Sequence, residues 1–415
     1  MVPETTKIMP GKTVTTETES PALIDCITMK GFPSEMQILK GWKRKWLDLK
    51  AGLHIIKIAI KNYDTLSQSI KAVKALYQLK RSVLGGIQTK IVKLNGRYYH
   101  YLYAPGYPSS AFDKYIEAEL HRIIPIRKKT NRLTFIIFAI TKKCPLQCEH
   151  CLEWNNLNKS ESFNLNELKG VISRFQQDGI SQFHLSGGEP MVRIKDLEQI
   201  IRYGYGESEF YVLTSGFNFT YDNAKSLKDA GLTGVIISLD HFDSQLHNKF
   251  RGFKNSFQDV IKAVHIAHEF KLLITLSICV TRSFVNWDNL MKYAKLAKQL
   301  DVAYIQLLEP KAVGHYAGQD VSLQKDQLNM LNNFYHTLNF DPAYADYPIV
   351  VYHGYHQRTV GCFSAGNRML YIDSEGYVNA CPFCHTKNFN IRDAIKNDHN
   401  QNGTIVCPRF ETPTV

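Results

Sequence analysis

The sequence predicts an α/β fold: a partial (β/α)6 barrel with a mostly helical N-terminal extension and a small, hairpin-containing, cysteine-rich C-terminal domain. Three observations predict it. Short apolar runs at 133–140, 182–186, 209–214, 234–239, 272–280 and 303–308 alternate with amphipathic segments at about 165–178, 194–204, 220–230, 255–270, 286–300 and 322–338. That alternation is the signature of a parallel sheet with right-handed crossovers. The 415 residues are 44% hydrophobic and 21% charged, an ordinary globular composition with length for two or three domains. Past residue 341 the alternation stops, and Cys362, Cys381, Cys384 and Cys407 fall in a turn-rich segment.

The elements follow in order. Residues 1–20 are polar and Thr-rich and are expected to be a disordered tail. They lack the basic-then-apolar order of a signal peptide. Residues 21–130 form an α+β extension to which the sequence assigns no role. Helical segments are expected within about 36–82, and Lys and Arg cluster at 39–50 and 71–82. The net charge of +12 admits an acidic substrate, a peptide or a nucleic acid, but a solvated basic face is the plainer reading. "TKIVKLNGRYYHYLYAPGYPS" reads as a hairpin turning at Asn95-Gly96. "SSAFDKYIEAELHRII" reads as a helix with a Ser cap. Residues 131–340 hold the strand–helix core, with too few units for a closed eight-unit TIM barrel but enough for an open one, and residues 341–415 the cysteine-rich domain. In such folds chemistry sits at the carboxyl ends of the strands. The longest apolar runs are too short to span a bilayer, so the expected setting is cytoplasmic, with no membrane partner and with reduced thiols free to bind metal.

"AITKKCPLQCEHCLEW" places Cys144, Cys148 and Cys151 directly after the first core strand. Three thiolates can complete a zinc site with a distant ligand or hold an iron–sulfur cluster. The first gap, C-x3-C, is not that of a zinc knuckle. Three ligands on a four-iron cluster leave one iron open, as a catalytic site requires.

C-x3-C-x2-C after the first strand of a partial barrel resembles the radical S-adenosylmethionine (radical SAM) enzymes. The resemblance implies that Cys144, Cys148 and Cys151 bind a [4Fe–4S] cluster whose open iron chelates SAM. It places His150 near the adenine. "HLSGGEPMV", with Gly187, Gly188, Glu189 and Pro190, looks like the family's GGEP motif. Glycines permit close backbone approach to the ligand, and the carboxylate can accept charge-assisted bonds from the methionine ammonium; taken alone the motif is a turn. Ser238 and Asp240 in "ISLDHFD" match the strand-four position for polar contacts to SAM, against a plain strand-end role. Ser215 in "LTSGFN" stands where the family usually has Asn. Arg251 is a candidate partner for the SAM carboxylate, with a surface arginine as the alternative. Asn286 is a candidate for the ribose, with a helix cap as the alternative. The resemblance covers about 130–310.

The C-terminal set, Cys362, Cys381, Cys384 and Cys407, with a hairpin turning at Asp373–Gly376, resembles the start of the SPASM and Twitch extensions of that family. The implied cofactor is a second, auxiliary [4Fe–4S] cluster, with zinc as the alternative. His385 is read as structural or exposed, His353 and His356 as surface residues, and Cys279 as packed in the fifth core strand; Cys26 gives no signal.

The resemblance implies reductive cleavage of SAM to a 5′-deoxyadenosyl radical that abstracts hydrogen from substrate, with flavodoxin or ferredoxin as electron donor. A peptide or protein is the expected substrate. A small-molecule or cofactor-biosynthesis reaction is the alternative. A zinc-containing nucleic-acid-binding protein is a remote third reading, and it leaves Gly187–Pro190 and the barrel pattern unexplained.

Overall fold

The computed structural model describes residues 35–86, 88–126, 132–362 and 365–396. The expected N-terminal tail, Cys26 and Cys407 lie outside the described residues. The extension holds β1 (Gln37–Lys40), α1 (Gly41–Asn62), α2 (Leu66–Leu84), β2 (Lys90–Leu94), β3 (Arg97–Tyr99) and α3 (Ser110–Ile123). The hairpin β2–β3 turns at Asn95-Gly96, both with positive φ (50° and 73°), the turn whose twist matches the strands. Ser109 caps α3 by accepting from the Phe112 N–H.

The core alternates β4 (Phe135–Ala139), α4 (Leu165–Gln177), β5 (Gln182–Ser186), α5 (Ile194–Gly204), β6 (Glu209–Thr214), α6 (Tyr221–Ala230), β7 (Gly234–Ser238), α7 (Ser244–Arg251), α8 (Ser256–Glu269), β8 (Leu273–Cys279), α9 (Trp287–Gln299), β9 (Tyr304–Leu308) and α10 (Lys325–Phe340). The chain continues through β10 (Ile349–Tyr352), α11 (His353–Val360), β11 (Met369–Ile372), β12 (Tyr377–Asn379), β13 (Phe389–Asn390) and α12 (Ile391–Lys396).

The six expected core strands are present and run parallel. The sheet is wider than they are: its order is β10-β9-β8-β7-β6-β5-β4-β11-β12-β13. β10 lies parallel to β9 at one edge and β11 parallel to β4 at the other. The parallel sheet thus draws a strand on each side from beyond residue 341. β11 then turns through Asp373–Gly376 into antiparallel β12.

The extension closes the end of the sheet opposite the strand exits. Val92, Leu94, Tyr99 and Leu102 pack in one cluster with Phe135, Tyr211, Leu273, Tyr304, Ile349 and Met369. Most of these sheet residues are first in their strands. Each fully buried side chain of this size contributes about 1.5–3 kcal/mol. Buried polar groups fix the same joint. Glu209 accepts from the Gly106 N–H at 2.9 Å and from Tyr211 Oη at 3.2 Å. Lys90 donates to the carbonyls of Tyr344, Tyr347 and Pro348 at 3.0, 2.7 and 3.2 Å. Glu119 of α3 holds Arg122 and, at 2.9 Å, Arg368 at the start of β11. His356, read as a surface residue, is buried and bonds the Val83 carbonyl at 2.6 Å; α11 packs on α2 and removes it from solvent.

Candidate active site

The cysteine loop leaves β4 at the carboxyl end of the sheet, as expected. Its backbone is fastened on three sides. Asn158, at φ 59°, accepts from the Cys144 N–H and donates to the Cys144 carbonyl, both at 3.1 Å. Gln147 N–H donates to Arg251 O and Glu149 N–H to Phe250 O, at 3.1 and 3.0 Å. These bonds seat the loop on the end of α7, an element the sequence reading missed because its eight residues lack an apolar period. Gly252 (φ 59°) ends α7, and a Cβ there would lie 2.7 Å from the Gln147 carbonyl. On the third side His315 N–H donates to Cys151 O at 2.9 Å. Its ring bonds Cys148 O at 3.1 Å and stacks on Trp154 at 3.7 Å.

The Gly187–Pro190 turn packs against this loop. Gly188 N–H donates to Thr141 O and Glu189 N–H to Lys143 O, both at 2.8 Å. A Cβ on Gly187 (φ 150°) would lie 2.6 Å from Thr141 O, and one on Gly188 would strike Lys143 O. The glycines therefore permit approach to the cysteine loop itself. Glu189 is buried and accepts from Met191 N–H (3.1 Å), Thr214 Oγ1 (2.7 Å), Ser215 N–H (2.8 Å) and Ser215 Oγ (2.6 Å). Burial lifts its carboxyl above the ordinary value, against the pull of these donors. Ser215 thus ties the GGEP turn to the end of β6.

Arg251 is buried between a carboxylate and a cysteine sulfur. Its Nε lies 2.6 Å from Asp240 Oδ2, and its Nη1 donates to Cys148 Sγ at 3.6 Å. Asp240 Oδ1 accepts from the Cys279 N–H at 2.9 Å. Burial opposes ionisation of Asp240, but Arg251 outweighs it and holds the carboxyl below its usual range. The surface alternative for Arg251 is thereby overturned. His150 stacks on Phe250 at 4.9 Å, and burial lowers its pKa to about 4, so it is uncharged at neutral pH. Burial pushes the free thiols of Cys144 and Cys151 up to about 12 and raises Cys148 as well. Ligation to a metal would release these protons.

These groups wall a cavity of about 310 Å³ at the strand exits. Cys144, Cys148, Cys151, His150, Gly187, Gly188, Glu189, Ser215, Ser238 and Arg251 all line it, and so do Cys362 and Cys381 from the C-terminal segment. Cys384 packs behind them with Cys362, Ala365 and Ala380. Three of the residues expected to meet SAM are off the wall. Pro190 is buried in the turn that follows Glu189, and Asp240 sits behind Arg251. Asn286 caps α9 by accepting from the Asn289 N–H at 2.9 Å; the cap reading is the one realised. Cys279 is buried in β8 as expected, with its side chain at the cavity edge.

Residues 138–297 match the family model described as the Radical SAM superfamily. This core belongs to the radical SAM superfamily. Among curated relatives, this chain is 30% identical over 207 residues to an AdoMet-dependent heme synthase of Oleidesulfovibrio alaskensis, covering 48% of this chain and 52% of the relative. It is 27% identical over 181 residues to a PqqA peptide cyclase of Bradyrhizobium diazoefficiens, covering 43% and 47%. A probable GTP 3′,8-cyclase of Pyrococcus abyssi is 30% identical over 177 residues, covering 43% and 56%. The chain spans about half the length of these relatives. Streptococcus suis SuiB bound to S-adenosylmethionine shares the fold, with TM-score 0.52 at 12% identity over 70% of this chain and 69% of that one.

The cavity also holds residues that the sequence reading passed over or placed elsewhere. Glu309, one residue past β9, accepts from Tyr352 Oη at 2.7 Å and pairs with Arg358 at 2.6 Å and Lys311 at 3.1 Å. The carboxyl-end rule applied to the sixth strand would have singled it out. Glu153 accepts from Tyr371 Oη and Ser374 Oγ. His353 and His184 flank the Tyr103 ring, at 4.9 and 5.2 Å, and burial lowers the pKa of each to about 3. His353 therefore lines the cavity where a surface residue was expected.

Proposed function

We propose that this chain is a radical SAM enzyme acting on a peptide or protein, with a second iron–sulfur cluster beside the first. One observation carries the reading: a single cavity at the strand exits has Cys144, Cys148 and Cys151 on its wall together with Cys362 and Cys381. The donor set fits an iron–sulfur cluster. Three sulfurs from one loop leave a metal position open, and a buried guanidinium points at one of the sulfurs.

Cys144, Cys148 and Cys151 would hold the cluster, and with SAM bound it supplies a 5′-deoxyadenosyl radical. The chain's own residues do the rest. Glu189, whose four acceptor positions are filled from the protein, holds a fixed negative charge at the wall that would attract the methionine ammonium by charge and not by a further hydrogen bond. Ser215 and Ser238 add hydroxyls to the same wall. Neutral His150 offers an uncharged ring for the adenine. Arg251 spends its charge on Asp240 and Cys148, so it holds the loop in place in preference to meeting a SAM carboxylate. The hydrophobic plug under the sheet and the C-terminal hairpin above exclude water, which a carbon radical requires. Cys362, Cys381 and Cys384, with Cys407 as a fourth candidate, would hold the auxiliary cluster. The kinship with a peptide cyclase supports a peptide substrate. The kinship with a GTP cyclase supports the second reading, a small-molecule substrate.

The test is anaerobic reconstitution, with iron and sulfide counted per chain, followed by dithionite and SAM and an assay for 5′-deoxyadenosine. About eight irons and product formation are expected. Cys144/Cys148/Cys151→Ala should lose about four irons and all product. A wild-type count of about four would remove the auxiliary cluster and leave the core reading standing. Zinc in place of iron, with no product, would overturn both.

A further inference from the structure

We propose that the outer face of the α1–α2 hairpin docks on an anionic lipid surface. Helix α1 has two apolar faces. Leu47, Ala51 and Ile58 are buried on one, toward α2 and α3. On the other stand Trp42, Trp46, Leu49, Leu53, Ile56 and Ile60, spaced 4, 3, 4, 3 and 4 residues apart, so that they form one stripe along the helix. All six are exposed, Trp42 at 71% and Leu49 at 62%. α2 also exposes Leu66, Ile70 and Tyr77. The six side chains of the α1 stripe alone present roughly 600 Å² of apolar surface, the upper end of the largest patch on a typical monomer.

Charge identifies the occupant. Lys43, Lys50 and Lys57 follow one flank of the stripe at seven-residue spacing, and Lys74 and Arg81 repeat that spacing on α2. Residues 41–84 carry ten Lys or Arg against Asp48 and Asp64. Asp48 is taken up by Arg44 at 2.9 Å. A second copy would set the same lysine flank against itself. A partner helix seated in the stripe would meet Trp at two successive seam positions, where Leu, Ile and Val normally interlock. An interfacial membrane site matches every feature: Trp at the headgroup level, lysines reaching up to phosphates, and an apolar face too mixed to span. Among the described residues no helix is long and apolar enough to cross a membrane. The expectation of no membrane partner rested on run length, which speaks to spanning and not to lying on a surface. The inference does not depend on the chemistry proposed for the cavity.

The test uses the reconstituted full chain with sucrose-loaded vesicles, either pure phosphatidylcholine or with about 30% phosphatidylglycerol. Co-sedimentation with the anionic vesicles is expected, with a blue-shifted Trp emission and release by high salt. Lys43/Lys50/Lys57→Gln should weaken binding roughly a hundredfold, at about a factor of five per charge. Leu49→Glu/Leu53→Glu should abolish it while iron content and circular dichroism, read as the folding control, stay unchanged. Failure of the wild type to bind anionic vesicles overturns the proposal. So does binding that survives Leu49→Glu/Leu53→Glu, or a dimer that this variant dissolves without any vesicle binding.

Discussion

The Arg251–Asp240 pair predicts a measurable coupling. Both side chains are buried, and 2.6 Å separates them. At an effective dielectric of about 20, two unit charges at that distance attract by roughly 6 kcal/mol, from which the desolvation of both must be subtracted. Removing one member leaves the other charged and unpaired in the interior, which costs about 3–5 kcal/mol. Arg251→Met is therefore expected to destabilise by that amount, and Asp240→Asn by a similar one. The double variant should cost less than the sum, because it leaves neither charge stranded. The coupling expected from the cycle is about 2–3 kcal/mol. The assay is urea unfolding of the metal-free chain under reducing conditions, followed by tryptophan fluorescence and circular dichroism together to check that one transition is being read. Strict additivity, or a cost below about 1 kcal/mol for either single variant, would refute the pair as a structural unit. Arg251 would then be free for a ligand after all.

Three further outcomes follow from the same geometry. Glu119 has its folded pKa held below the usual range: burial opposes its ionisation, but Arg122 and Arg368 outweigh burial. Its stabilisation is thus complete above the unfolded value of 4.5 and is lost as pH falls through the lower folded value. Glu119→Gln should cost about 3–5 kcal/mol at pH 7 and should flatten the acid limb of a stability–pH profile. Gly188→Ala would force its Cβ into the Lys143 carbonyl, so the reconstituted protein should hold fewer irons while keeping the far-ultraviolet dichroism of the wild type. Ser215→Ala deletes one of four donors to a buried carboxylate, at about 1–3 kcal/mol in urea unfolding, whereas Ser215→Asn should keep most of the stability if its amide can donate in the hydroxyl's place.

The parts of this molecule that were legible in the sequence are those whose signal is local. Six core strands and their helices were placed to within a residue or three, because each strand is an apolar run bounded by turns and each helix keeps a 3.6-residue period. The cysteine loop was legible because its ligands are neighbours in sequence. β10 was not, since "IVVY" is four residues long and no amphipathic segment of barrel length follows it. β11 was hidden because its run sits between cysteines and read only as half of a hairpin. The partners of Glu189 lie some twenty-five residues on, at Thr214 and Ser215. The contact from Arg251 to Cys148 spans 103 residues. No spacing rule reaches such distances, and only the closing of the sheet supplies them. Asn286 shows the converse: a local rule, the helix cap, decided its role where the resemblance offered another.

The position of β11 beside β4 has a consequence for how the two cysteine groups meet. Met369 to Ile372 pair in parallel with Phe135 to Phe138, so the cysteine loop after β4 and the hairpin after β11 leave adjacent strands, about 4.8 Å apart, in the same direction. The first group follows β4 by five residues; of the second, Cys362 precedes β11, and Cys381 and Cys384 follow β12. Glu153, two residues past Cys151, then bonds Tyr371 in β11 and Ser374 in the hairpin turn. A C-terminal segment carried on a flexible tether would have to find the cavity in each molecule. A segment that enters as a strand of the main sheet is placed there by the same hydrogen bonds that build the barrel. The cavity with cysteines on two walls is therefore a product of sheet order, and its geometry should be as rigid as the sheet itself.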